Sequence, residues 1–293
     1  METVTGHKLV RKVKDPSFSL ESLSGYNLIL QIGINDLQLA VIDPFFNIVL
    51  VFEDYVFSDI DSEEELLLVT HQLYDAHEFL AAGFWKEVII SFKNSKFVQV
   101  PEQLFHKKAG LEYLKFNSRI DPVSEITLAS RSAESDAVTV YASNAALVNW
   151  FKSVYQHSSC RFTHQAAALI AAAVRHDMAR SAVSIFIDRF QLHVLSVDSG
   201  KLQYYNQFQV KEFSDYIKYI LLIMNSLQLS QQDTQIILWG FTGKSSPHYQ
   251  EFEKYIRKIK LGNRLSNLKF KGFFDTLSSH QFIDLFAIPL TAA

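Results

Sequence analysis

Apolar and polar positions alternate in two distinct rhythms along this chain. From Tyr26 onward, short β-rich runs cover 27–33, 37–43 and 47–57, separated by the turn-forming pieces "IND" and "PFFN". The next stretch, "DSEEELLLVTHQLYDAHEFLAAG" at 61–83, changes period. Acidic residues crowd its first turn, apolar residues recur at helical spacing and Gly83 closes it, which predicts a helix. "EVIISF" at 87–92 is nearly all apolar, the pattern of a strand covered on both faces.

The same order recurs about 150 residues later. Strand-like runs cover 182–188, 190–197 and 201–210, with Ser199-Gly200 as a hairpin turn, and a helix at 212–230 is followed by a buried strand at 234–240. The chain therefore reads as two related β-β-β-α-β units. Between them lie a strand at 137–142 and helices near 144–157 and 164–179. After them come a helix at about 247–260, a strand near 266–270 and the C-terminal "SSHQFIDLFAIPL". Residues 1–25 mix charges with Ser and Pro16 and read as a poorly ordered lead-in with at most one edge strand. No Gly/Ser linker cuts the chain, so the pattern predicts two touching lobes, 26–180 and 181–293, with the C-terminal segment free to return to the first.

Composition narrows the function classes. The 293 residues are 48% hydrophobic and 20% charged, which excludes global disorder, and a net charge of −3 provides no overall field for nucleic acid or anionic lipid. The single cysteine, Cys160, excludes an internal disulfide framework and points to a reducing compartment. The N-terminus lacks the apolar run of a secretory signal. Nowhere do 18 apolar residues run together, and "AAALIAAAV" at 166–174 reads as a buried core helix. The expected location is the cytoplasm.

Two β-β-β-α-β-α units, each opening with a hairpin, resemble the plan of the actin, Hsp70 and sugar-kinase superfamily, an α/β, ribonuclease H-like, two-lobed fold. More closely, "NLILQIGINDLQLAVID", "EVIISFKNSKFVQVPEQLF", "GKLQYYNQFQV" and "TQIILWGFTG" resemble a bacterial family of unknown function with this actin-like ATPase fold. Pilus-assembly and cell-division actin-like proteins are more distant likenesses. The resemblance implies a cleft for ATP and Mg²⁺, in which an Asp at the end of the first strand serves the metal and a glycine-rich turn admits phosphate.

This sequence departs from that pattern. In the first hairpin Gln31 stands where the Asp is expected; Gly33 fits, but Ile34, Asn35 and Asp36 replace small residues. In the second hairpin Asp188 is present, yet "DRF" contains no glycine. Gly240 and Gly243, in "IILWGFTGKSS", match the turn that lies against adenosine. The expected function is accordingly a non-catalytic scaffold or assembly factor with degenerate phosphate loops, able to bind nucleotide, working through a protein partner or self-association. The alternative is an active Mg-dependent ATPase or kinase using Asp36 and Asp188.

Rival motifs are weaker. "GFTGKSS" resembles a P-loop ending in Gly243-Lys244-Ser245, but the required upstream glycine is Leu238; an anion site at Lys244 and Ser245 is what remains of that reading. "HEF" at 77–79 lacks the second zinc-protease histidine, and Cys160 near His157 or His164 is a weak nucleophile pair. A basic segment, 254–271, places Lys254, Arg257 and Lys258 on one face of the expected helix. That face is a candidate for nucleic acid, an acidic partner or lipid headgroups, set against the plainer reading of a solvated outer helix.

Overall fold

The computed structural model describes residues 6–132, 135–176, 182–189 and 191–292. The lead-in does hold an edge strand: β1 (His7–Lys14) pairs antiparallel with β4 (Ile48–Phe57) at the margin of the first sheet, so these residues are ordered and not loose. Between them in the chain run β2 (Asn27–Gly33) and β3 (Asp36–Asp43). Helix α1 (Glu63–Ala76) starts at a reciprocal cap: Ser62 Oγ accepts from the Glu65 N–H at 3.2 Å, and Glu65 Oε2 accepts from the Ser62 N–H at 3.2 Å. Strand β5 (Glu87–Lys93) follows and lies parallel to β2.

A smaller four-stranded sheet then interrupts the unit. It contains β6 (Phe97–Pro101), β7 (Glu125–Ser132) and β8 (Ala137–Asn144), with the short α2 (Gly110–Lys115) against it. Helix α3 (Ala145–Val154), capped by Asn144, and β9 (Ser159–His164) return the chain to the main sheet, whose order is β1-β4-β3-β2-β5-β9.

Helix α4 (Gln165–His176) leads to the second unit; positions 177–179 of the expected helix lie outside the described residues. That unit comprises β10 (Ala182–Ile187), β11 (Gln191–Asp198), β12 (Lys201–Gln209), α5 (Phe213–Ser226) and β13 (Gln235–Gly240). The expected helix over 247–260 is corrected. α6 covers only Pro247–Phe252, and the chain then runs as β14 (Ile259–Leu261), parallel to β13, in a sheet ordered β12-β11-β10-β13-β14. A strand covers the open edge of β13 because backbone groups there need partners: the Ile236 N–H donates to the Lys258 carbonyl at 2.8 Å. The expected strand at 266–270 is reduced to a single parallel bridge between Ile48 and Lys269.

Period-2 alternation divides each main sheet between two cores. Leu28, Leu30 and Ile32 face α1 and α3, whereas Ile29 faces α4 and the C-terminal segment. In β10, Val183, Ile185 and Ile187 face α5, whereas Ala182 and Phe186 join the same core as Ile29. The buried α4 thus lies between the two sheets, which share one apolar interior. Helix α7 (Ile283–Phe286) enters that interior, where the Phe52 and Phe282 rings stand 4.6 Å apart, and β15 (Thr291–Ala292) pairs with β7. Among the described residues, no helix is long and apolar enough to cross a membrane.

Glu53, on β4, fastens β1 and the end of α1 to the sheet. Lys12 and His77 reach its carboxylate at 2.7 Å each, and the Tyr55 hydroxyl donates to it at 2.6 Å. Burial alone would push this carboxyl up; the hydrogen bonds from His77, Lys12 and Tyr55 outweigh it and hold Glu53 at about 2. A depressed folded-state value contributes stability above the ordinary 4.5 that disappears as pH falls toward 2. Glu53→Gln should therefore melt below wild type at neutral pH, and the gap should close between pH 5 and 2 in a series of thermal melts. A gap independent of pH would show that the charge does not matter.

Candidate functional site: an ionic lock between two hairpins

The two opening hairpins have matching registers. β2 and β3 close at the pair Ile32–Leu37, and β10 and β11 close at Ile187–Leu192, so each turn spans four residues. This makes Gly33, and not Gln31, the counterpart of Asp188. Gln31 lies two residues earlier on a face pointing into the shared interior.

Gly33 is paired in parallel register with Lys93, the last residue of β5. A Cβ on Gly33 would meet Lys93 Cβ at 3.0 Å and Asp36 Oδ1 at 3.4 Å, so the glycine makes room for the lysine side chain. The Lys93 ammonium then lies between the hairpins. It donates to both Asp36 oxygens at 3.0 and 2.9 Å and pairs with Asp188 Oδ2 at 2.9 Å, with its side chain 8% exposed.

Beside it, Arg189 from the second hairpin grips Asp54 of β4 through both terminal nitrogens, one of them at 2.9 Å; Nη1 stands 3.5 Å from Asp36 and the guanidinium lies 4.5 Å over the Phe241 ring. Gln165, the first residue of α4, donates to Asp188 at 3.2 Å and to Asp284 at 2.8 Å, and Gln31 donates to Asp284 and Gln38. Asp284 comes from α7, so the C-terminal segment completes the cluster. Asn35 serves the turn itself, its carbonyl accepting from the Phe57 N–H at 2.8 Å.

Four carboxyl groups, Asp36, Asp54, Asp188 and Asp284, face two cations. Burial pushes Asp36 up to about 6 against the pull of Lys93, and the neighbouring Asp188 charge adds to the rise. Burial likewise raises Asp284. For Asp188 burial acts upward, but Lys93 together with His193 and the hydrogen bond from Gln165 outweighs it, and the carboxyl is held below its ordinary range. Burial would neutralise Lys93; the Asp188 and Asp36 carboxylates reverse that and hold its proton more tightly than usual. Nearby His164 and His193 are pushed down by burial, to about 3 and about 4, and stay neutral.

The residues present do not fit a Mg-nucleotide. A hard cation needs carboxylate oxygens facing an open space, and here the oxygens of Asp36 and Asp188 face an ammonium. A phosphate needs free backbone N–H groups. The Gly243 N–H instead donates to Ser246 Oγ at 3.2 Å, and the Gly240 N–H to the His280 carbonyl at 2.8 Å. Gly240 has φ +86°, and a Cβ there would stand 2.1 Å from the Ile187 carbonyl oxygen. Its glycine requirement is thus set by close packing of β13 on β10. Lys244 is exposed on the loop before α6, a helix too short to present an anion site.

The basic segment is not one helical face, because Lys254, Arg257 and Lys258 all follow the end of α6. Lys254 pairs with Glu251 at 2.6 Å, Lys258 with Asp233 at 3.5 Å and Lys271 with Asp15 at 3.2 Å, while Arg264 donates to the Phe274 and Leu277 carbonyls. The Cys160 thiol is pushed up to about 11 by burial, a poor setting for a nucleophile. Lys93, Arg189, Asp54, Gln165 and Asp284 are the residues of the cluster that motif reading did not find.

Comparison with solved structures shows the fold. A protein from Bacteroides thetaiotaomicron VPI-5482 with actin-like ATPase fold and unknown function superposes with a TM-score of 0.77 at 16% identity, over 92% of this chain and 98% of that one. A chain of the PilM-PilN type IV pilus biogenesis complex gives 0.56 at 12% identity, over 90% and 96%. The ethanolamine utilization protein EutJ from Carboxydothermus hydrogenoformans gives 0.50 at 11% identity, over 95% and 92%. This chain has the actin-like ATPase fold. No curated protein matches it in sequence. A family model matches residues 15–259, and the chain belongs to that family, described as Protein of unknown function (DUF3822).

Proposed function

We propose that this protein is a non-catalytic scaffold or assembly factor working in a reducing, cytoplasmic setting, in which a fixed cation has taken the place of the metal and nucleotide. One observation carries the reading: the Lys93 ammonium lies between Asp36 and Asp188, in the space between the two hairpins. The fold supplies a frame, and function must be argued from the site it carries. In this site Lys93 and Arg189 occupy both oxygens of Asp36 and of Asp54 and one oxygen of Asp188, and the N–H groups of Gly240 and Gly243 are already bonded. The fold likeness to a chain of a pilus-biogenesis complex is consistent with action through a protein partner.

The test is a thermal melt with and without millimolar ATP and Mg²⁺, followed by a phosphate-release assay. A ligand at one hundred times its dissociation constant stabilises by about 2.7 kcal/mol, which shifts the melting temperature by several degrees. The expected results are an unchanged melting temperature and no phosphate release above buffer. A clear shift, or release that Asp188→Ala abolishes, would make the protein a working nucleotide enzyme.

A further inference from the structure

A groove runs between two sheet edges that face each other. One edge is β6, outermost in the four-stranded sheet; the other is β12, outermost in the second main sheet. The larger part of the groove, about 640 Å³, is lined by residues that include Phe97, Gln99, Phe116, Tyr205 and Gln207. It continues past Gln99 and Tyr205 into a further space of about 270 Å³ beside Pro101 and Leu202. We propose that this groove takes an extended, uncharged peptide segment of a partner protein, added as a strand to β6. The proposal rests on the scaffold reading and names the chemistry of its partner.

Three observations support a peptide. First, the hydrogen bonds flanking β6 fix which of its backbone groups are free. The Ala142 N–H donates to the Lys96 carbonyl at 2.9 Å and the Glu102 N–H to the Asp136 carbonyl at 2.7 Å, so the even-numbered positions face β8. Phe97 and Gln99 therefore turn their N–H and C=O groups outward, at the two-residue spacing that an added strand meets.

Second, two side-chain atoms are closed from solvent without a partner, Nε2 of Gln99 and Oε1 of Gln207, one on each bank of the groove. Their other ends are fixed: Gln99 Oε1 accepts from Thr139 Oγ1 at 3.0 Å, and Gln207 Nε2 donates to Gln191. One bank thus lacks an acceptor and the other a donor, and a peptide unit supplies both.

Third, among the described residues none that lines the larger space is charged, so a phosphate or an ionic side chain would find no counter-charge there. Apolar surface is available instead. The Phe97 and Tyr205 rings stand 5.5 Å apart, the Tyr205 hydroxyl is held by His193 Nδ1 at 2.8 Å, and Phe116 at the side is 87% exposed. The two spaces meet at Gln99 and Tyr205 and together follow the chain from Ser95 through β6 to Pro101, a run that suits an extended chain.

The experiment pans a displayed library of short linear peptides on the full chain and measures binding of the synthetic winner by titration calorimetry. Amide hydrogen exchange at Phe97 and Gln99 should slow when the peptide binds. Gln99→Ala and Gln207→Ala should each weaken binding about tenfold while the melting temperature holds. N-methylation of the peptide bonds that face β6 should abolish binding, a readout that leaves the protein unaltered. No enriched peptide, protection on another surface, or undiminished binding after N-methylation at every position would overturn the proposal. The titration repeated with Mg-ATP separates the two ideas: loss of the peptide site with nucleotide still inert would overturn the groove alone.

Discussion

Lys93→Met should unfold at a temperature roughly 6–10 °C below wild type. Removing one partner of a buried ion pair costs about 3–5 kcal/mol, and each kcal/mol moves the midpoint of a chain this long by roughly 2 °C. The reason is local. Asp36 and Asp188 are 1% and 3% exposed, and without the ammonium they repel each other with no water to screen them. Adding Asp188→Asn to the Lys93→Met background should recover a large part of the loss, because it removes the uncompensated charge. The double-mutant cycle measures that coupling. A Lys93→Ala variant adds a second test: with the side chain gone, the carboxylates face open space, and millimolar Mg²⁺ or Ca²⁺ should raise its melting temperature while leaving wild type unchanged. Additive single effects and no response to metal would show that Lys93 is packing material and not a substitute for a cation.

Gly240→Ala should be damaging by a different route, with a loss of about 3 kcal/mol or more. An alanine at φ +86° costs about 1–2 kcal/mol, and its methyl group would collide with the Ile187 carbonyl, forcing apart two central strands at an overpacking cost of about 1–3 kcal/mol. Gly243→Ala is the control, since a Cβ there meets nothing within 4 Å. Denaturant melts of the pair should separate by several kcal/mol. Equal loss in both would assign the effect to the loop as a whole and not to strand contact.

Much of the fold was legible because periodicity and repetition speak directly of burial. The run at 87–92 reads as a strand covered on both faces and 27–33 as a β-rich run, and both are strands of a sheet covered on each side; the repeat near 150 residues announces two related units. The C-terminal half of the expected helix at 247–260 misled for a tertiary reason: the open edge of β13 claims 259–261 as a strand. The lock itself was half visible. Asp36 and Asp188 stood out as carboxylates in turns. Lys93 did not, because a lysine after a buried strand normally carries its charge to water. Its signal was positional, a charged residue ending a strand in register with a glycine turn. Gln31, read as standing where the family's Asp is expected, lies two residues before the position that the closing pairs of both hairpins match to Asp188, a register that shows only once both pairs are known. Asp284 lies in a segment with no motif at all and enters the cluster only through three-dimensional return.

That return bears on how the chain is made. Gln31 and Asp284 are separated by 253 positions, and synthesis at about 5–20 residues per second leaves roughly 13–50 s between them. The first sheet is complete once β9 ends at His164, yet for the rest of that interval the face around Ile29 and Phe52 lacks α7 and its cover. A nascent chain in this state exposes apolar surface and unmatched polar groups together, the combination that holding chaperones recognise and aggregation exploits. Yield in the cell should therefore depend more on substitutions at Asp284 and Phe282 than their effect on the finished molecule's stability would suggest.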